Sequence, residues 1–221
     1  MVFLHGFLSS KEAFAAQIAY FSRFFRVTAF DFVGQGKSSP LTEAYSVEDY
    51  AVWTEEVLAK LEVKNPMVVA HSFGCRVAVK MARRGKVPFE KMVLTGPAGV
   101  VFPRGMRYRC KVAAYRFVKR FAPRFAERHF GSAEYKQLSG AMRESYKKIV
   151  NEDLRGDAAC IPCEVLIVVG KEDTVTPIKE ARAYLAVMRR ARLAVMDGGH
   201  FAFAEHPIAF NMLVEEFLQN V

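Results

Sequence analysis

A serine set between small residues is the side chain best placed to do chemistry. It lies in the run Ala70-His71-Ser72-Phe73-Gly74, directly after an apolar segment and before a helical pattern. Small residues two positions before and after the serine let a strand and a helix pass closely, so the hydroxyl would project from a sheet edge at a helix N-terminus. A serine hydroxyl is a weak nucleophile unless a neighbouring base removes its proton. The run therefore predicts a nucleophile that needs a partner base.

Apolar runs of strand length alternate with helical patterns along most of the chain. The predicted strands cover Met1–Leu4, Arg26–Phe30, Met67–Ala70, Met92–Thr95, Val165–Val169 and Leu193–Met196. The predicted helices cover Phe14–Phe24, Val47–Leu61, Val77–Arg83, Ile178–Met188 and Ile208–Leu218. Continuous apolar strands separated by helices are typical of a parallel sheet covered on both faces. We therefore predict an α/β protein with a mostly parallel sheet of about six strands.

A helical, aromatic segment interrupts this alternation between residues 98 and 159. Apolar and aromatic residues recur at three- and four-residue spacing from Tyr108 to Phe125, and a second amphipathic stretch covers Ala141–Leu154. Active sites of open α/β sheets lie at the carboxyl edge of the strands. We predict a core formed by residues 1–97 and 160–221 and a helical cap over that edge formed by residues 98–159.

Five motifs along nearly the whole chain resemble those of the α/β-hydrolase family, in the family's order. They are His5-Gly6-Phe7, Asp31–Ser38, the serine turn, Gly170–Pro177 and Asp197–His200. The resemblance implies that Ser72, Asp173 and His200 form a catalytic triad. It also implies that the backbone N–H groups of Phe7 and Phe73 form the oxyanion hole.

Two residues depart from the family pattern. Ala70 stands where a glycine is usual, and alanine is still small; Val33 stands where many members carry arginine. We interpret the turn around Val33 as structural, because its glycines supply positive φ angles. Glu172 is the nearest rival for the triad acid, but its position does not match the family's.

The residue types of the implied triad suit acyl transfer. A histidine titrates near neutral pH, so it can take the serine proton and later give it to the leaving group. A carboxylate fixes the tautomer of the imidazole and stabilises the imidazolium. Two backbone donors stabilise the tetrahedral oxyanion, and each lowers the barrier by about 3 kcal/mol.

The other histidines and the cysteines are interpreted as structural. His5 belongs to the oxyanion turn, and His71 flanks the nucleophile, where packing and pocket-lining roles are both open. Cys160 and Cys163 match C-x-x-C, but a strand rather than a helix follows them and no second ligand pair is visible. We therefore predict no metal and no cofactor.

Composition and charge bound the remaining function classes. Of the 221 residues, 52% are hydrophobic and 25% charged, which is ordinary for a globular domain. No apolar run approaches the roughly 20 residues that span a bilayer, and the first residues do not form a signal peptide. We therefore expect a cytoplasmic protein without stable membrane insertion.

The net charge of +9 is concentrated in the segment Arg104–Arg128, which is interpreted as a solvated helix face or as a site for anionic partners. No nucleic-acid-binding motif accompanies it.

The family's sheet usually begins with two strands that this chain lacks. In the family's strand order they would cover the strand Val27–Phe30, which would become an exposed apolar edge. Because such edges pair with other chains, we expect self-association, giving a homo-oligomer, or a local rearrangement. A shortened chain is the alternative.

The leading functional prediction is a carboxylic-ester hydrolase that acts through an acyl-serine intermediate. Phe102, Tyr108 and Tyr115 in the cap suggest a pocket for an apolar acyl or aryl substrate, with cap packing as the alternative. The same triad in this family serves lactonases, C–C bond hydrolases and cofactor-free perhydrolases, and a basic cap would suit a carboxylate. The second class is a ligand-binding or scaffold protein of the same fold.

Overall fold

The fold is a six-stranded, fully parallel sheet, seen in a computed structural model that describes residues 1–103, 105, 138 and 140–219. The strands are β1 (Val2–Leu4), β2 (Thr28–Ala29), β3 (Val68–His71), β4 (Lys91–Thr95), β5 (Glu164–Gly170) and β6 (Ala191–Met196). Their order across the sheet is β2-β1-β3-β4-β5-β6. The predicted α/β class and the parallel sheet of about six strands are confirmed.

Eight helices of the described residues flank or follow these strands. They are α1 (Ala15–Phe21), α2 (Val47–Lys60), α3 (Phe73–Arg84), α4 (Gly140–Val150), α5 (Arg155–Ala158), α6 (Ile178–Leu185), α7 (Ala202–Glu205) and α8 (Pro207–Gln219). A short 3₁₀ helix, Lys11–Phe14, precedes α1. Local sequence explains several ends: Ser46 and Asp49 form a capping box at the start of α2, and Gly85, with a φ of 69°, ends α3.

Two hydrophobic cores cover the two faces of the sheet. Val2 and Leu4 of β1 pack into one core with residues of α2 and α3, whereas Phe3 between them packs into the other with residues of α1 and α8. Successive side chains of a strand point to opposite faces, so a strand buried on both faces must be apolar at every position. This explains the unbroken apolar runs seen in the sequence.

The strand β2 lies at one edge of the sheet, where the sequence predicts an uncovered strand. It has two residues rather than five, because only Thr28 and Ala29 find partners opposite Val2 and Phe3 of the short β1. Residues 27–30 are half-buried by the cores on either side. The expected association through this edge stays a prediction.

The two ends of the segment 98–159 are hydrogen-bonded to each other and to α3. The backbone N–H of Leu154 donates to the Gly99 carbonyl oxygen at 2.8 Å. The buried guanidinium of Arg76, on α3, donates to the carbonyl oxygens of Ile149 and Glu152 at 2.8 and 2.9 Å. A cation at these carbonyls stabilises the C-terminal end of α4, which ends at Val150 although the amphipathic pattern runs to Leu154.

Two further findings limit what the described residues contain. No helix among them is long and apolar enough to cross a membrane. Cys75, Cys160 and Cys163 are free thiols. The division into a core and a cap stays a prediction, since most of the cap lies outside the described residues.

Candidate active site

Ser72 occupies a strained turn between β3 and α3. Its φ of 50° and ψ of −107° fall outside the regions that a residue with a side chain prefers. The turn is held by its backbone: the Ser72 N–H donates to the Thr95 carbonyl at 3.1 Å, and the Cys75 N–H donates to the Ser72 carbonyl at 3.1 Å. Strain maintained in this way is typical of a nucleophile turn, which presents the hydroxyl at a helix N-terminus.

The close packing of this turn explains the glycine that follows it. A Cβ on Gly74 would overlap the carbonyl oxygen of Leu4 and lie 2.8 Å from that of His5. Both atoms belong to the backbone, which cannot rotate away as a side chain could. Only glycine therefore lets α3 start directly against β1.

Asp173 and His200 meet at the carboxyl edge of the sheet. Asp173 follows β5, His200 follows β6, and the His200 Nδ1 lies 2.9 Å from the Asp173 Oδ2. A carboxylate accepts at this distance, so the proton of the imidazole belongs on Nδ1 and the Nε2 atom is left as a base. This is the arrangement that the sequence predicts for the acid and the base.

The Asp173 carboxylate is 5% exposed and is fully engaged. Its Oδ1 accepts the backbone N–H groups of Val175 and Thr176, both at 2.8 Å, and its Oδ2 accepts the Thr176 hydroxyl at 2.9 Å. Burial acts to raise the pKa of Asp173, but the hydrogen bonds from His200 and Thr176 outweigh it and lower the pKa. Asp173 therefore remains an acceptor for His200 well into the acid range.

No hydrogen bond joins Ser72 and His200 in the described part of the chain, but the residue before Ser72 contacts His200 directly. The ring of His71, the neighbour of Ser72, lies 4.6 Å from the His200 ring between centroids. Hydrogen bonds between a nucleophile and its base are often long in unliganded enzymes and tighten when substrate binds. Proton transfer from Ser72 to His200 stays a prediction.

His71, the residue before Ser72, is a buried and neutral imidazole. It is 1% exposed, and its Nε2 lies 3.0 Å from the His200 carbonyl oxygen. A carbonyl can only accept, so His71 carries its proton on Nε2, while Nδ1 has no partner among the described residues. Burial lowers the pKa of His71 to about 3. Through its hydrogen bond to the His200 carbonyl oxygen, His71 therefore stabilises the loop that carries His200.

We expect His71 to make the protein less stable as the pH falls. An unfolded histidine takes up a proton below a pKa of 6.5, whereas His71 in the folded protein does so only near pH 3. The unfolded state binds more protons between these values, so stability is full above pH 6.5 and decreases below it. In His71→Gln, the free energy of unfolding should therefore fall less steeply with decreasing pH than in the wild type, by up to about 1.4 kcal/mol for each pH unit.

Urea unfolding of both proteins at pH 7 and pH 5 measures the effect. His206→Gln, which changes an exposed histidine, is the control and should leave the pH dependence as it is. The same loss of stability in His71→Gln as in the wild type would contradict a neutral His71.

The turn after β1 holds the first of the two predicted oxyanion donors. The Phe32 N–H donates to His5 Nε2 at 3.0 Å, which puts the His5 proton on Nδ1, and that atom lies 2.7 Å from the Gly6 carbonyl oxygen. In a trans peptide the C=O of Gly6 and the N–H of Phe7 point in opposite directions. His5 thus sets the direction of the Phe7 N–H.

The second predicted donor, Phe73, is the first residue of α3. Its N–H belongs to the helix turn whose donors have no partner within the helix. The rings of Phe7 and Phe73 are in edge contact, with centroids 5.6 Å apart. The two turns that carry the predicted donors therefore pack directly against each other.

Comparison with known proteins identifies the family of the chain. The sequence model of the alpha/beta hydrolase family matches residues 1–212. The chain belongs to the alpha/beta hydrolase family. It is 24% identical over 242 residues to the AB hydrolase superfamily protein YisY of Bacillus subtilis, and this alignment covers 98% of this chain and 90% of that protein. It is 30% identical over 220 residues to a 2-hydroxymuconate semialdehyde hydrolase of a Pseudomonas species, which covers 87% of this chain and 76% of that protein.

Solved structures show the same alpha/beta hydrolase fold. An esterase from Exiguobacterium antarcticum superposes with a TM-score of 0.78 at 22% identity, covering 99% of this chain and 91% of that one. A meta-cleavage product hydrolase from Pseudomonas fluorescens IP01 superposes with a TM-score of 0.74 at 25% identity, covering 98% and 89%.

The pocket residues predicted for this alpha/beta hydrolase are only partly described. Phe102 is half-buried, and the Lys179 ammonium lies 5.0 Å from the centre of its ring. Tyr108 and Tyr115 lie outside the described residues, as does the basic segment Arg104–Arg128. Glu172, the rival acid, is exposed and accepts the Gly198 N–H at 2.9 Å, with no contact to His200 in the structure.

Two residues of this site were missed by the sequence analysis. Thr176 contacts both Asp173 and His200, with its hydroxyl 3.1 Å from the His200 Nδ1; a threonine three residues after an aspartate is a signal for such a turn. Tyr146, on α4, packs against Phe7 with ring centroids 5.5 Å apart. It lies within the amphipathic stretch, where nothing distinguishes a pocket aromatic from a packed one. The described residues contain no group of three acidic, histidine or cysteine side chains that could hold a metal.

Proposed function

We propose that this protein is a serine hydrolase that cleaves carboxylic esters through an acyl-serine intermediate. Ser72 would be the nucleophile, His200 the general base and Asp173 the residue that orients the base. The observation that carries the proposal is the 2.9 Å contact between His200 Nδ1 and Asp173 Oδ2, and the strained turn that holds Ser72 supports it. Family membership supports a hydrolase; the triad and the ester substrate are our inference.

In the proposed first half-reaction, His200 Nε2 takes the hydroxyl proton of Ser72 as its oxygen attacks the carbonyl carbon of the ester. The carbonyl π electrons move to oxygen, and the Phe7 and Phe73 N–H groups stabilise that oxyanion. The imidazolium, stabilised by Asp173, then gives its proton to the departing alcohol as the ester C–O bond breaks. Ser72 is left acylated.

In the second half-reaction water replaces the alcohol. His200 takes a proton from the water, whose oxygen attacks the acyl carbon, and the second oxyanion occupies the same place. Its collapse breaks the bond to the Ser72 oxygen, which regains the proton from His200. The acid is released and the enzyme returns to its starting state.

The substrate that we propose is an ester with an apolar acyl group. Phe7 and Tyr146 form a half-buried aromatic pair next to the first predicted oxyanion donor, and such rings offer large apolar contact area. Cleavage of a C–C bond is the second candidate, favoured by the 30% identity to the 2-hydroxymuconate semialdehyde hydrolase. The Lys179 ammonium above Phe102 would suit a substrate that carries a carboxylate.

Labelling with a fluorophosphonate probe tests the proposal directly. We expect the probe to modify Ser72 alone, as located by mass spectrometry, and p-nitrophenyl esters to be hydrolysed. Ser72→Ala should lose both, whereas Ser22→Ala, at an exposed serine after α1, should keep both. A folded wild-type protein that is not labelled, and that cleaves neither esters nor substrates with a scissile C–C bond, would contradict the proposal. That result would favour a binding protein of this fold.

A further inference from the structure

The turn that carries the first predicted oxyanion donor contains a residue whose unfavourable backbone conformation is not maintained by packing of its side chain. Leu8 follows Phe7 and adopts a φ of 54°, a left-handed conformation that is unfavourable for a leucine. Its side chain is 46% exposed, so burial contributes little to keeping it there. Another interaction must maintain this backbone.

Gln35 makes that interaction. The Leu8 N–H donates to the Gln35 Oε1 at 2.7 Å, across 27 residues of sequence. Gln35 is 4% exposed; its side-chain amide interacts with the Tyr50 hydroxyl, although its amide nitrogen meets no acceptor at full hydrogen-bond geometry in the described part of the chain. The hydrogen bond that the Gln35 Oε1 accepts from the Leu8 N–H is thus the well-formed hydrogen bond of this buried side chain among the described residues.

Gln35 is itself held rigidly. Its N–H donates to the Phe32 carbonyl at 2.9 Å and its carbonyl accepts the Ser38 N–H at 3.0 Å. Gly34 and Gly36 on either side adopt φ angles of 80° and 54°, which glycine tolerates freely. The Gln35 oxygen is therefore a fixed point against which the turn at Leu8 is placed.

We propose that Gln35 is a positioning residue for the oxyanion hole. By holding the Leu8 N–H it fixes the peptide between Phe7 and Leu8, while His5 fixes the peptide between Gly6 and Phe7. Together the two contacts aim the Phe7 N–H at the position of the oxyanion. This inference rests on the proposed function, and it gives the turn Asp31–Ser38 a role in catalysis that its glycines alone do not indicate.

Positioning of this kind acts on the transition state more than on the bound substrate. A misplaced donor loses its contact with the charged oxygen, so kcat falls while KM changes little. Removal of a whole oxyanion donor lowers kcat by about 10²–10³-fold. For a displaced donor we expect about a 10- to 100-fold decrease in kcat, with KM within about threefold.

The test uses two variants of the full chain. Gln35→Met keeps the length of the side chain without its acceptor, and Gln35→Asn keeps the amide but is too short to reach Leu8. Asn211→Met is the matched control, since Asn211 is an equally buried amide on α8. Each is measured for kcat and KM on p-nitrophenyl butyrate, for the inhibition constant of phenylboronic acid, whose serine adduct carries a negative oxygen, and for its melting temperature.

Support requires that both Gln35 variants lose kcat and boronic-acid affinity in parallel, while Asn211→Met keeps both even at an equal decrease in melting temperature. Gln35 variants within twofold of the wild type in both quantities would overturn the proposal. So would an activity loss in Asn211→Met that matches theirs, because that would trace the effect to general destabilisation. A wild-type protein that the fluorophosphonate does not label at Ser72 overturns the proposed function as well, which separates the two failures.

Discussion

Asp173→Asn is expected to lower kcat by about 10⁴-fold while leaving the fold intact. An asparagine can present its NH₂ group to His200 Nδ1, and the proton then moves to Nε2, the atom that must accept it from Ser72. The 2.9 Å contact between Asp173 Oδ2 and His200 Nδ1 is what sets the productive tautomer. Thr176 can still hydrogen-bond to the new side chain, so the loop should keep its shape.

The neighbouring carboxylate supplies the control for this substitution. Glu172 directly precedes Asp173 and is exposed. Among the hydrogen bonds of the described residues, its carboxylate accepts only the Gly198 N–H. Glu172→Gln should keep kcat within about threefold, as expected for a surface contact. Steady-state kinetics on a p-nitrophenyl ester compares the two variants. A large loss in Glu172→Gln together with a small one in Asp173→Asn would reassign the acid.

Gly74→Ala is expected to have the largest effect on stability. The added methyl group would overlap the Leu4 carbonyl oxygen and lie 2.8 Å from the His5 carbonyl oxygen, so α3 would have to move away from β1. Overpacking against side chains costs about 1–3 kcal/mol, and backbone atoms on both sides leave less room to relax. We expect a loss of more than about 3 kcal/mol, or no folded protein.

Gly156→Ala is the matched control, because a Cβ there has nothing within 4 Å and Gly156 lies in the short helix α5. Alanine in a helix should be neutral or stabilise by up to about 1 kcal/mol. Urea unfolding followed by circular dichroism measures both variants. A Gly74→Ala protein as stable as Gly156→Ala would show that strand and helix do not meet as closely as described.

Much of the fold could be predicted because strands that are buried on both faces of the sheet have unbroken apolar runs in the sequence. The runs at β3, β4 and β5 are apolar at nearly every position, and their predicted bounds differ from the observed ones by at most one residue at either end. The start of α3 was harder: the sequence predicts a helix from Val77, whereas it begins at Phe73. Phe73, Gly74, Cys75 and Arg76 are all buried, so the first turn has no exposed face and shows no amphipathic periodicity.

The candidate site divides in the same way. Ser72 stands in a sequence pattern that a tight turn from strand to helix requires, and Asp173 and His200 stand in motifs that resemble those of the family, so the reactive residue types and their order along the chain could be predicted from the sequence. Their catalytic roles, with the oxyanion donors Phe7 and Phe73, stay predictions. Short-range patterns can specify such turns because the constraint acts within a few residues of the chain.

The distant groups that support those turns became visible only in the folded chain. It placed the Thr176 hydroxyl between Asp173 and His200, His71 beneath the His200 carbonyl, and Gln35 against the Leu8 N–H. The partners of His71 and Gln35 lie 129 and 27 residues away, and any polar residue of suitable reach could have met them. Such contacts depend on how the carboxyl ends of β1, β3, β5 and β6 are brought to one edge of the sheet, which packing of the whole domain sets and no local pattern records.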